Sequence, residues 1–403
     1  MYTNSINSFL SHINKLSCNA LEVCISSAKE YGVNIYLIGG IVRDLLLEKE
    51  LKDIDITVEG NAIEFAKFLE SKKNCKIIAV QENLKTAKVR IHDCIDIDFA
   101  STREEKYLSP GVMPEAYNFG CDLSKDVKRR DFTINTLAIK LNEPGEYNII
   151  DYFGGLQDLN DCKIRILHPK SFSDDPSRII RAIKFKRRLD FEYETNTYTL
   201  MQNYLKQINQ SIPLERIKHE LCSYFSMNKN NLYKELINTN AYKLITDNPV
   251  IKIEESNICK IKKYISLNKK EQWFIYIIFL LVNCSSIPQR LNLDSKQKKI
   301  IQETKEMLEA EKPSDNFEIY KLFKDKNNLS LFAYYVLTTD DNLIKFIEEL
   351  KDIQVLTTGH DLIALGLKPS EYFNKIFDKI LKEKIFNGIK TKNEELEFVK
   401  SLL

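Results

Sequence analysis

The chain has 403 residues, a formal charge of +2 and a charged share of 29%. That length exceeds one ordinary hydrophobic core and calls for two or more domains. The near-neutral balance excludes a global positive field, so a nucleic-acid partner is expected to be held by local patches. Nine cysteines run from Cys18 to Cys284 with no Cys-x-x-Cys pair and no Cys/His cluster at zinc spacing. They read as reduced, mostly buried thiols rather than a disulfide framework or a zinc site. The longest apolar run, residues 273–282, is about half of what a membrane span needs. Residues 1–26 lack a basic start and an unbroken apolar stretch. The expectation is a cytoplasmic protein with no membrane partner.

Nine of the twelve glycines lie at or before Gly155, so tight turns are concentrated in the first part, as a sheet requires. Residues 35–38 form a short apolar strand ending on Gly39-Gly40, and residues 41–47 read as the helix that follows. Residues 54–58 and 89–99 alternate between apolar and acidic or polar positions, the pattern of half-buried strands. Residues 62–71 between them are helix-periodic. From Asp174 onward the pattern is helical: Ile179, Ile180, Ile183 and Phe185 recur among basic positions, and residues 214–225, 271–283, 295–309 and 329–338 continue likewise.

The stretch LIGGIVRDLLLEKELKDIDITVEG carries the most chemistry. Strand periodicity puts Asp53 and Asp55 on one face. Two adjacent carboxylates repel unless a cation lies between them, and Mg²⁺ prefers such hard oxygen ligands. Glycine at Gly39-Gly40 lets backbone approach a phosphate, the helix start offers free N–H groups, and Arg43 adds a charge-assisted contact. Asp96 and Asp98, on the next strand segment IDIDFASTR, share a face with each other, and either is a candidate third carboxylate.

The ordered series GGIVRD, DID, RRDFTINTLA, DYFGGLQDL and DDPSRIIRAIKF, followed by LERIKHEL and a C-terminal HDLIALGLKPSEYF segment, resembles the bacterial-type tRNA nucleotidyltransferase and poly(A) polymerase family of the polymerase β superfamily. The resemblance spans nearly the whole chain. It implies an α+β fold: a polymerase β-like mixed α/β head with a small sheet over residues 1–150, a helical neck carrying base recognition over 151–230, and an all-helical, tRNA-binding body and tail over 231–403.

By resemblance Asp53 and Asp55 match the catalytic, metal-binding pair. Asp98, five residues before Arg103, matches the third carboxylate better than Asp96. Gly39, Gly40, Arg43 and Arg130 match nucleotide-contacting positions. Asp175 and Arg178 match the pair that reads the incoming base, and Arg181 a further nucleotide contact. Lys184 stands where the family has arginine, which keeps a charge and loses the planar fork. A base-reading pair three apart is expected on one helix face. Asp175 would accept from an exocyclic amine and Arg178 donate to a ring acceptor, an arrangement that suits cytosine and adenine. Phe132 and Asn135 are expected to be core and hydrogen-bonding scaffold, and Gly154-Gly155 either a hinge or a packing point.

The implied activity is template-independent addition of C and A to the tRNA 3′ end, from CTP and ATP with Mg²⁺, by a two-metal transfer. The partner is the tRNA 3′ end and acceptor arm. The long segment 103–129 disfavours a CC-only enzyme. The pattern Pro110-x-x-x-Pro114 resembles some A-adding members, and the ending KTKNEELEFVKSLL lacks the basic extension common in poly(A) polymerases. Full CCA addition is therefore preferred, with A-only addition or poly(A) synthesis as alternatives within the family. Outside that reading stand a non-catalytic tRNA-binding relative and a small-molecule nucleotidyltransferase; the latter would not need Asp175, Arg178 or the long helical part.

Overall fold

The computed structural model describes residues 19–49, 54–72, 74–142, 147–208 and 212–403. Asp53, one of the expected metal-binding pair, lies outside the described residues. The chain divides into two compact units, Met1–Glu220 with Thr239–Leu244, and Leu221–Asn238 with Ile245–Leu403.

The first unit is built on a seven-stranded sheet. Helix α1 (Ala20–Tyr31) leads into β1 (Asn34–Ile38), α2 (Gly40–Leu46), β2 (Ile54–Glu59) and α3 (Ala62–Glu70). Then come β3 (Cys75–Gln81), β4 (Thr86–Ile91) and β5 (Ile95–Ser101), a short hairpin of β6 (Glu104–Lys106) and β7 (Glu115–Tyr117), and β8 (Ala138–Lys140) and β9 (Ile149–Ile150). The strand order is β3-β4-β5-β2-β1-β8-β9. Only β2 and β5 pair in parallel within it; the other neighbours are antiparallel.

Helix α3 covers the sheet because its apolar face is in register with the strands. Asn61 accepts from the backbone N–H of Ile63 and Glu64 at its start, Ala62 N donates to Ser101 Oγ at 2.9 Å, and Phe65 meets Phe99 edge-on at 5.5 Å.

The single strand expected over residues 89–99 is two strands. His92 and Asp93 take left-handed backbone (φ 54° and 53°), turning β4 back onto β5. Apolar alternation continues across that turn, so periodicity alone does not reveal it. The sheet is correspondingly larger than the small one expected, and β3 carries a partner strand that the reading above did not assign.

In DYFGGLQDL, Gly155 is a packing point, whereas Gly154 takes left-handed backbone (φ 72°) in open space. Asp151 accepts from the N–H groups of Phe153, Gly155 and Leu156 at 2.9–3.1 Å, starting helix α4 (Gly155–Asn160). A Cβ on Gly155 would lie 2.3 Å from the Thr133 carbonyl oxygen. Helix α5 (Ser177–Leu189) then buries Ile179, Ile180, Ile183 and Phe185, with Phe185 edge-on to Phe132 at 5.7 Å. Helix α6 (Thr195–Lys206) follows, and α7 (Glu215–Phe225) has its first residues, through Glu220, in this unit.

The second unit is helical throughout its described residues. Its centre is the helix Asn328–Thr338, buried on nearly every side and packed by Glu255–Ile261, Lys269–Leu281 and Ser295–Glu309. Residues 273–282, the longest apolar run, are thus a core helix, and no described helix is long and apolar enough to cross a membrane. Glu395 locks the C-terminal helices: fully buried, it accepts from Leu356 N (2.9 Å), Thr357 N (2.7 Å) and Lys384 Nζ (2.5 Å). The eight described cysteines are free, and four are buried, fewer than expected. Cys94, Cys162 and Cys259 are exposed.

Gly155→Ala should lower the urea midpoint by about 1–3 kcal/mol of stability, the usual cost of forcing a methyl into a packed site. An unchanged midpoint would refute the close packing of Gly155 on Thr133.

Candidate active site

Gly39 ends β1 with φ 83° and ψ −125°, a backbone that side chains other than glycine rarely adopt. Its N–H donates to Leu137 O at 2.9 Å, and a Cβ there would lie 2.6 Å from Arg130 Nη1. The glycine turn therefore lets an arginine close over the strand end.

Next to that turn, β2 and β5 run parallel with Asp55 directly opposite Asp98. Register partners on adjacent strands face the same side, so both carboxylates share one face, Asp55 exposed and Asp98 with its side chain 45% exposed. Lys88, opposite Asp98 on β4, donates to Asp98 Oδ2 at 2.6 Å. Asp96 is instead engaged by Arg90 at 2.6 and 3.0 Å, which holds its carboxyl below the ordinary value. The register thus puts Asp98, not Asp96, beside Asp55. Among the described residues no group of three or more His, Cys, Asp or Glu is placed to hold a metal ion; Asp55 and Asp98 form a pair. A cavity of about 460 Å³ lies over this face, lined also by Lys88, Arg103, Arg129 and Arg130.

A second cavity of about 500 Å³ shares Arg103, Arg129 and Arg130 with the first. Eight arginines line it against three carboxylates, Glu105, Asp131 and Asp175. Gly40, Arg43, Arg130, Asp175, Arg178 and Arg181 all face it, so most of the residues expected at a nucleotide site converge here. Two do not line it. Gly39 acts through backbone geometry, and Lys184 turns its ammonium to Glu220 Oε2.

The arginines are held by a buried chain of hydrogen bonds. Arg43, only 2% exposed, donates from Nε to Asp44 Oδ1 (2.9 Å) and from Nη1 to Asn135 Oδ1 (2.5 Å), and its guanidinium lies over Phe185. Asn135 Nδ2 donates in turn to Asp131 Oδ1 at 2.9 Å, and Arg181 Nε to Asp131 Oδ2 at 2.8 Å. Arg181 Nη1 also reaches Glu220 Oε1 at 3.0 Å. On the other side Asp126 accepts from Arg129 Nε (3.0 Å), Arg130 Nη2 (3.3 Å) and Arg103 N (3.1 Å). Phe132 and Asn135 are therefore core and scaffold, as expected. Asp126, Asp131, Glu105, Glu220 and Arg216 went unassigned in the sequence. Asp131 lies in RRDF, and Arg216 and Glu220 in LERIKHEL, while Asp126 and Glu105 lie in neither motif; nothing in a motif states which arginine a carboxylate will meet.

Burial pushes the carboxyls of Asp126, Asp131 and Glu220 up, yet their cationic partners outweigh it and hold all three below the ordinary range. The partners are chiefly Arg130 and Arg129 for Asp126, Arg181 for Asp131, and Lys184 and Arg181 for Glu220.

Asp175 and Arg178 are both buried, at 3% exposure, with Arg178 Nε 3.9 Å from Asp175 Oδ2. They do not share a helix face. Asp175 is extended (φ −138°, ψ 92°) and precedes α5, because the residue before Pro176 is kept out of the helical region. Its Oδ1 accepts from Ser177 N at 3.1 Å and Ser177 Oγ at 2.6 Å, so the carboxylate sits at the helix start and is aimed into the cavity by that capping.

Comparison with known proteins agrees with this architecture. Residues 35–165 match the family model described as the poly A polymerase head domain. An A-adding tRNA nucleotidyltransferase of Aquifex aeolicus is 31% identical over 88% of this chain. This chain spans 45% of the length of the first curated relatives it matches. A solved CCA-adding enzyme in apo form superposes with a TM-score of 0.78 at 26% identity, covering 96% of this chain and 95% of that one. A Thermotoga maritima CCA-adding enzyme complexed with tRNA superposes at 0.70, also 26% identical, covering 96% of this chain and 95% of that one. The chain therefore resembles the bacterial-type tRNA nucleotidyltransferase and poly(A) polymerase family, in its head domain by sequence and over nearly its whole length by fold.

Because the three carboxyls are depressed in the folded state, their stabilisation is complete above the ordinary carboxylate value near about pH 4 and is lost as pH falls through the lower folded values. Melting temperature should hold down to about pH 4 and drop below it. Asp131→Asn should lower the plateau and flatten the acid limb. A wild-type melting curve indifferent to pH across that range would contradict the network.

Proposed function

We propose that this chain adds nucleotides to the tRNA 3′ end without a template, using CTP and ATP to build CCA. The observation that carries the reading is the juxtaposition of an arginine-lined cavity with a carboxylate-bearing sheet face, the two sharing Arg103, Arg129 and Arg130. Five more cations than anions around one cavity suit a polyanion of triphosphate size, and arginine forks match phosphate oxygens.

The paired carboxylates suit a divalent cation. Asp55 and Asp98 are hard oxygen donors on one exposed face, joined in this reading by Asp53, and their mutual repulsion is what a cation relieves. Mg²⁺ is the ion proposed; when bound it would activate the RNA 3′-hydroxyl and neutralise the triphosphate. Arg43 and Arg130 orient the phosphates through positions fixed by Asn135 and Asp126, with Gly39 and Gly40 clearing space for them. Asp175 accepts the exocyclic amine of cytosine or adenine and Arg178 donates to the ring acceptor. Uracil and guanine turn a carbonyl toward the carboxylate and are disfavoured. Arg181 reaches the nucleotide from its place between Asp131 and Glu220. Lys184, committed to Glu220, serves as a charge at the rim. In this reading residues 1–150 are the catalytic head, 151–230 the neck, and 231–403 the body and tail that hold the acceptor arm.

A second reading, addition of the terminal A alone, is favoured by the similarity to an A-adding relative. Transcripts ending before C, after the first C and after CC, with a generic RNA as control, separate the two when incubated with labelled CTP or ATP. C incorporation on the shortest transcript supports CCA addition, A alone on the CC transcript supports the second reading, and tailing of generic RNA defeats both.

Asp55→Ala should reduce incorporation roughly a hundredfold or more, since a metal ion supplies several kcal/mol of transition-state stabilisation and each 1.36 kcal/mol is about tenfold. tRNA retention in a gel-shift assay should be unchanged. EDTA should abolish incorporation and added Mg²⁺ restore it. Full activity in Asp55→Ala would reject the carboxylate assignment.

A further inference from the structure

The row of side chains that carries Asp55 and Asp98 continues across the sheet, and its next member is a cation. Strand register runs Asp55, Asp98, Lys88 and Ala79 across β2, β5, β4 and β3. Lys88 Nζ donates to Asp98 Oδ2 at 2.6 Å, and the two side chains are 37% and 45% exposed. Among the described residues, the other cations lining this cavity are held by other acids. Glu105 accepts from Arg103 at 2.9 and 3.0 Å, and Asp126 from Arg129 and Arg130. Lys88 is thus the lining cation bonded to the carboxylate beside Asp55.

One rung along, the same two strands carry a different kind of pair. Arg90 lies opposite Asp96, and its guanidinium grips both carboxylate oxygens, Nε on Oδ1 at 2.6 Å and Nη2 on Oδ2 at 3.0 Å. Two bonds in a planar fork hold an acid in one orientation. Lys88 reaches Asp98 with a point charge on one oxygen, Oδ2. A half-exposed pair of that kind is weak and is screened by salt. Oδ2 cannot serve an ammonium and a divalent cation at full strength together, because the two positive charges repel at such a distance.

We propose that Lys88 is a positioning residue that competes with the divalent cation for Asp98 and so sets how readily the carboxylate face fills. In the empty site its ammonium balances the face and keeps the Asp98 carboxylate turned along the row toward β4. To free Oδ2, Lys88 swings outward, which its flexible stem and partial exposure allow. The bare site then fills at a higher metal concentration than its acids alone would require. Lysine stands at the rung where the acid must be released, and arginine at the rung where it need not be. This rests on the metal-binding reading above and extends it to a residue outside the carboxylate set.

The test is Mn²⁺ binding to the full chain without nucleotide, followed by the paramagnetic-resonance signal of the free ion, which prefers the same oxygen ligands as Mg²⁺. Wild type, Lys88→Met, Lys88→Arg and Asp55→Ala are compared. Lys88→Met keeps the stem and removes the charge, and should bind Mn²⁺ about fivefold more tightly, the scale of an exposed ion pair. Lys88→Arg should bind it more weakly by a similar factor, since a fork would grip Asp98 as Arg90 grips Asp96. Both lysine variants should melt as the wild type does; if Lys88→Met does not fold, Lys88→Gln makes the same comparison. The Mg²⁺ concentration for half-maximal incorporation should move in the same two directions. A lysine that merely tied the strands together would not shift metal affinity in opposite senses. Unchanged affinity in both variants, or weakening in both, would overturn the proposal and leave the metal site standing. Failure of the underlying reading would look different: Asp55→Ala would bind Mn²⁺ as the wild type does. A wild-type chain that binds no Mn²⁺ would overturn both.

Discussion

The carboxylate of Asp131 is the interaction on which the site depends. It is nearly buried and surrounded by donors: Phe132 N and Asn135 Nδ2 on one oxygen, and Arg181 on the other. Through Asn135 it reaches Arg43 at the glycine turn, and through Arg181 it reaches Glu220 on α7. One acid thus ties the start of the first crossover helix to two later helices of the same unit. Each arginine so held has lost most of its side-chain freedom before any ligand arrives. A cluster of cations this dense would repel itself apart without such acids. The low folded-state pKa of Asp131 expresses the same coupling seen from the acid's side.

The sheet does a different job. Antiparallel and parallel ladders set only distance and facing, and the parallel pairing of β2 with β5 is what brings Asp55 and Asp98 side by side. A shift of one residue would turn Asp98 to the other face. The helix α3 fixes that register from the opposite side by packing Phe65 on Phe99. The carboxylate face and the arginine cavity are then joined by three shared arginines, of which Arg129 and Arg130 are gripped by the buried Asp126. The carboxylate face and the arginine cavity therefore rest on separate scaffolds that meet at one seam.

Helix α7 shows how the turn before α5, and α5 itself, are stabilised from outside. Arg216 and Glu220 lie four residues apart, hence on one helical face, and engage Asp175 on the one hand and Arg181 with Lys184 on the other. The replacement of an expected arginine by Lys184 has a physical reading here. A point charge suffices to satisfy Glu220, and no planar fork is needed for that task.

By itself, the sequence determined the order of elements, the glycine turn, the acid-bearing strands and the helical character of everything after Asp174. These are local properties, written in periodicity and in the backbone demands of glycine and proline. It also pointed to most of the residues that converge on the cavity, through their motifs. Only the tertiary structure set Asp98 opposite Asp55, split residues 89–99 into two strands, moved Asp175 off the helix, and turned Lys184 away toward Glu220. It alone revealed Asp126, Asp131 and Glu220 as the acids that hold the arginines, and Arg216 as the partner of Asp175. The reason is that charge pairing is non-local. Which carboxylate meets which guanidinium depends on strand register and helix packing, and in sequence an ion pair separated by dozens of residues leaves no periodic trace.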